Sequence, residues 1–142
     1  MLLATPIEAA WQDLKVCHEI LPEKSQTDRI QAALGPLGDR SVRVDDETIL
    51  RYYRYLAANL AFPFTAYYPL PKRSQEEVEY RATVVELLDP RKHVSGEFDG
   101  ILCKVRKGLF EVILPLTELT VPEGDPNSQL IEDYLCWFWR WR

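Results

Sequence analysis

The stretch Arg51-Tyr-Tyr-Arg-Tyr-Leu-Ala-Ala-Asn-Leu-Ala-Phe-Pro-Phe64 constrains the fold more than any other part of the chain. Ile49, Tyr52, Tyr53, Leu56 and Leu60 recur at helical spacing, which predicts an amphipathic helix with an aromatic buried stripe. Asp45-Asp46-Glu47 stands where that helix would begin, and acidic residues are favoured there as caps and as partners of the helix dipole. Pro63 must stop it. Beyond Pro63 the chain turns to strand character, so a helix passes almost directly into a sheet.

The sheet is read from period-two patterning. Phe64-Thr-Ala-Tyr-Tyr68 is one expected strand, and Val78, Tyr80, Ala82 and Val84 alternate in a second that Val85, Leu87 and Leu88 extend. Ile101, Cys103 and Val105 mark a third. Lys107-Gly108 fits a tight turn into a return strand over Leu109 to Leu114, which Pro115 should end or place at an edge. Leu116 to Leu119 reads as a single helical turn, and Thr120-Val121 as a last short strand.

Helices bracket this region. Thr5, Pro6 and Glu8 form a strong helix start, followed by Ile7, Ala10, Trp11, Leu14, Cys17, His18 and Leu21 on one face. A shorter helix should run from Ser25 to Leu34, closed by Gly35-Pro36. Asp125-Pro-Asn-Ser128 begins a terminal helix carrying Leu130, Ile131, Tyr134, Leu135 and Phe138, with Trp137, Trp139 and Trp141 at its end. The expectation is one α+β domain over residues 1–142. Residues 1–44 form a helical N-terminal extension. Residues 45–142 form the core: four to five short antiparallel strands packed by N-terminal, central and C-terminal helices. Short strands and a one-turn helix before the last of them also allow an SH3-like barrel. A sheet face needs cover from water, so the aromatic helices should lie on it and the Trp cluster should be core.

Composition narrows the function. A net charge of -5 argues against nucleic acid as the partner. No apolar run approaches the ~20 residues that span a bilayer, and the N-terminus lacks a signal-peptide pattern. Cys17, Cys103 and Cys136 lack CxxC spacing, which suggests reduced thiols and a cytoplasmic protein. Only His18 and His93 could serve as imidazole bases. Neither sits with a nucleophile in a catalytic pattern, and no phosphate loop or zinc spacing occurs. A non-enzymatic protein is expected.

The acids are more suggestive. Glu111, Glu118, Glu123, Asp125, Glu132 and Asp133 follow Gly108 with no Lys or Arg before Trp139. Ca²⁺ takes six to eight oxygen ligands, and the group near Asp46 together with that near Glu132 could supply them if the fold joined them. The competing reading is that each group merely begins its own helix. The EF-hand pattern is absent.

Over about residues 45–137 the chain resembles the CcbP-type small acidic calcium-binding proteins of bacteria. The likeness lies in the acidic lead-in to Tyr52-Tyr53 and Tyr55-Leu56, then Leu60-Ala-Phe-Pro-Phe-Thr-Ala66. It continues in Leu109 to Leu114 entering Pro115-Leu-Thr-Glu-Leu119, and in Leu130-Ile-Glu-Asp-Tyr-Leu-Cys-Trp137. The resemblance implies a cytoplasmic α+β protein that binds Ca²⁺ through surface carboxylates, with Asp45, Asp46, Glu47, Glu132 and Asp133 as the matching positions. Ala57 and Ala58 stand where acids are expected in the family. The alternative is an interaction module of the same fold without the ion. It would engage another protein, or a second copy as a homodimer, through exposed parts of Tyr67, Tyr68 and the Trp-rich terminus.

Overall fold

Asp45 starts the aromatic helix by a reciprocal cap. Its carboxylate accepts from the Thr48 N–H at 2.8 Å, and its own N–H donates to Thr48 Oγ1 at 2.9 Å. Thr48 Oγ1 also donates to the Arg43 carbonyl at 2.7 Å, which ties the lead-in to the first turn. The helix ends where Leu60 turns extended, just before the cis Phe62–Pro63 peptide.

This computed structural model describes residues 24–38, 41–71, 77–93 and 100–142. The expected first helix over residues 6–21 lies outside them, as do Cys17 and His18. The elements are α1 (Lys24–Leu34), α2 (Asp46–Asn59), β1 (Phe64–Pro71), β2 (Glu77–Leu87), β3 (Leu102–Lys107), β4 (Phe110–Pro115), a 3-10 turn (Leu116–Glu118) and α3 (Ser128–Arg140). The four strands form an antiparallel meander in the order β1-β2-β3-β4. The expected fifth strand shrinks to a single bridge: Thr120 and Tyr67 exchange two backbone hydrogen bonds of 2.8 Å. That bridge covers part of the outer edge of β1. The fold is α+β, with an open four-stranded sheet among the described residues.

Phe64, Ala66 and Tyr68 of β1, Ala82 and Val84 of β2, and Cys103 and Val105 of β3 line the buried face at alternate positions. The register slips between Val84 and Glu86, so Leu87 returns to that face although its number is odd. This bulge is the structural form of the break in alternation at Val85-Glu86-Leu87.

α3 is the centre of the molecule. Residues 133 to 138 are all buried, more than a surface helix allows. Tyr52 of α2 stacks on Trp137 with ring centroids 4.9 Å apart and meets Tyr134 edge-on at 5.3 Å. The Tyr134 hydroxyl accepts from the Ile101 N–H at 2.9 Å, where the chain enters β3. Only part of the Trp cluster is core: Trp137 is fully buried, Trp139 half-buried and Trp141 exposed. Cys136 is disulfide-bonded, against the expectation of reduced thiols throughout. Cys103 is free and buried.

Gly100 shows how closely α3 meets the sheet. It sits at φ +65, and a Cβ there would run into the Tyr134 hydroxyl and the Phe138 ring. Gly100→Ala should lower stability by about 2–4 kcal/mol through combined strain and overpacking. Gly108→Ala, at similar φ but in open space, should cost only about 1 kcal/mol. Urea denaturation of both variants checks the difference.

Candidate functional site

The five acids singled out by sequence fall into two separate settings. Asp45 is the cap of α2, with one carboxylate oxygen already engaged by Thr48. Asp46 is exposed and Glu47 half-exposed in the first turn, and Glu47 lies 3.7 Å from Arg51 one turn on.

Asp133 is a core residue, only 3% exposed. One of its oxygens accepts from Arg29 Nε at 2.7 Å, while the other accepts from Arg29 Nη2 at 3.1 Å and Gln26 Nε2 at 3.1 Å. This two-pronged geometry matches the guanidinium fork to the carboxylate. It locks α1 onto α3. Burial, and secondarily the Asp133 charge, hold the Tyr52 phenol far above its ordinary pKa, so Tyr52 stays neutral. Glu132, next to Asp133, is half-buried and has partners of its own.

The two groups lie toward opposite ends of α3. The Val44 N–H donates to the Trp141 carbonyl at 2.8 Å, and Trp137 Nε1 donates to the Val42 carbonyl at 2.7 Å. The acidic lead-in to α2 therefore sits beside the C-terminal end of α3. Glu132 lies nine residues earlier, roughly 13 Å along the helix axis at 1.5 Å per residue. Among the described residues no three His, Cys, Asp or Glu side chains gather in a way that could hold a metal ion. The joint cluster expected of Asp45, Asp46 and Glu47 with Glu132 and Asp133 is not formed, because Asp133 turns inward to Arg29 and Asp45 to its own helix.

The remaining acids are mostly committed too. Glu86 pairs with Lys104 at 3.1 Å and Glu111 with Arg106 at 3.3 Å. Arg91 donates to Asp89 from side chain and backbone, and those bonds hold its carboxyl down to about 2. Asp125 accepts from the Asn127 N–H at 2.8 Å. Of the candidate catalytic groups, His93 is exposed. Cys103 is sealed beside the Leu114 carbonyl, and burial pushes its thiol up to about 12.

Sequence reading missed Arg29 and Asn127. Asn127 was expected to help begin α3; instead its buried side chain accepts from Ala61 N–H at 2.8 Å and donates to the Ala61 carbonyl at 3.1 Å. It thereby clamps the exit of α2 to the start of α3. Only its place in a turn-forming run, Asp125-Pro-Asn, hinted at a special role.

The model of the CcbP calcium-binding family matches residues 41–138, more than half of the chain. The chain belongs to the CcbP calcium-binding family. Two solved structures share its fold. The crystal structure of Anabaena CcbP is 18% identical, with a TM-score of 0.63 over 84% of this chain and 93% of that one. A calcium-binding protein in its calcium-binding form is 17% identical, with a TM-score of 0.59 over 81% and 90% of the two chains. No match was found among curated protein sequences. No described helix is long and apolar enough to cross a membrane.

Two variants separate structural acids from ligands. Asp45→Ala should cost about 1 kcal/mol through the lost cap already in EDTA. Asp133→Ala should cost roughly 2 kcal/mol, less than a fully buried pair, because a third of the Arg29 side chain reaches water. Chemical denaturation in both buffers measures each effect. A further penalty that appears only with calcium identifies that residue as a ligand as well. The buried thiol gives a second handle. Its raised value means that it favours the folded state below about pH 9, with that contribution lost as pH rises toward 12. Cys103 should resist thiol reagents in the native protein and react once it is unfolded.

Proposed function

We propose that this protein is a non-enzymatic, non-EF-hand binder of Ca²⁺. The observation that carries the reading is its membership of the CcbP family over residues 41–138. The shared fold with a structure described as a calcium-binding form supports it.

The ligands proposed are the surface carboxylates Asp45, Asp46 and Glu47, with Glu132 and Asp133 as a second group. Ca²⁺ accepts carboxylates, backbone carbonyls and water together, so a partial protein shell can be completed by solvent. Neither group is a ready-made cage in its present arrangement. A cation at Asp133 must compete with Arg29 for both oxygens. At Asp46 and Glu47 the positive end of the α2 dipole offsets part of the acidic charge. Both effects favour weak binding, in the micromolar range or above.

Isothermal titration at low salt should show binding of Ca²⁺. Asp46→Asn with Glu47→Gln, and separately Glu132→Gln, should each weaken one class of site. Absence of heat at millimolar Ca²⁺ removes the calcium reading. Binding that neither variant alters leaves calcium in place and overturns the residue assignment.

A further inference from the structure

The largest apolar exposure on the described surface is on the β3–β4 hairpin and not on the aromatic helices. Leu109 is 99% exposed, Phe110 77%, Ile113 52% and Val112 40%. Tyr68, expected to contribute to a docking face, is buried. Among the described residues nothing pairs with the outer side of β4, whereas β1 at the opposite edge has its bridge to Thr120. An apolar, unpaired edge of this kind is a template for another strand.

We propose that β4 pairs antiparallel with β4 of a second copy of this chain, joining two sheets into one of eight strands. The backbone is suited to it. Lys107 and Phe110 face each other across a two-residue turn, so Phe110, Val112 and Leu114 direct their backbone groups to β3. Glu111 and Ile113 then direct theirs to the free edge, where an identical strand can receive them.

Charge chooses the register. Pairing centred on Glu111 would set two carboxylates directly opposite, which is unfavourable. Pairing centred on Ile113 would set Glu111 opposite Pro115, which has no N–H to donate. Pairing centred on Val112 sets Glu111 opposite the second copy's Ile113 and lets the outward groups of both residues bond. Phe110, Val112 and Leu114 lie on the same sheet face as Cys103 and Val105, so they would meet their counterparts in one apolar seam. The exposed portions of Leu109, Phe110, Val112 and Ile113 come to roughly 500 Å² per copy, near the lower limit for specific association. The dimer should therefore be weak and concentration-dependent, and it does not rest on the calcium reading.

Sedimentation equilibrium of the full chain from about 1 μM to about 1 mM, with and without EDTA, should show a reversible monomer–dimer equilibrium. Two substitutions at Ile113 then test the register by sign. Ile113→Lys places an ammonium opposite the second copy's Glu111 and should preserve or tighten the dimer. Ile113→Glu places like charges there and should weaken it by about tenfold or more. Within one chain the signs reverse, since Ile113 lies opposite Lys104. Loss of folding therefore cannot imitate the expected order. Val112→Cys should form an intermolecular disulfide under mild oxidation that the wild type, with its native cysteines, does not. A chain that stays monomeric throughout overturns the proposal. So does a dimer weakened equally by both charges, or one that fails to cross-link through Val112→Cys.

Discussion

Everything else in the molecule depends on the burial of α3. A helix surrounded on nearly all sides must find a partner for each polar side chain that it carries inward. Asp133 takes Arg29 and Gln26, the Tyr134 hydroxyl takes the Ile101 N–H, and Trp137 Nε1 takes the Val42 carbonyl. These partners come from α1, the entrance to β3 and the lead-in to α2. No buried side-chain nitrogen or oxygen among the described residues lacks a partner. Three directional contacts thus set the position of three parts of the chain, while the Tyr52–Trp137 stack fills the space between them.

Much of this was legible because the signals were local. The Asp45 cap, the stop before Pro63, the Lys107-Gly108 turn and the one-turn helix after Pro115 all depend on neighbouring residues. The fate of Asp133 was not local. Its partner Arg29 lies 104 residues away, and the charge pattern around Asp133 looks like that of any exposed helical turn. Counting acids along a chain reveals how much negative charge it has. It does not reveal which acids the fold has already neutralised.

The same limit applies to the surface. Alternation along β4 identifies a strand with one apolar side, but it cannot show how far the helical layer extends over that side. Leu114 is packed against the core, whereas Val112 and Phe110, two and four residues earlier on the same face, are progressively exposed. The helices cover the part of the sheet near Ile101 and leave the hairpin tip bare. Tyr52, Tyr68, Tyr134 and Trp137 are drawn inward, where burying them gains the most apolar area, while Phe110 at the hairpin and Trp141 stay exposed.

These two outcomes bear on calcium together. The family fold is present, yet its interior acid serves as a strut between α1 and α3, and its surface acids sit on the positive end of a helix. If Asp133 is a ligand, as proposed, calcium affinity at that position depends on whether Arg29 can leave it without loosening α1. A buried carboxylate that loses its cation becomes costly at once, so exchange of Arg29 for Ca²⁺ would have to be nearly simultaneous. The strength of the α1–α3 contact and the strength of calcium binding at that position are therefore opposed: what stabilises one lowers the other.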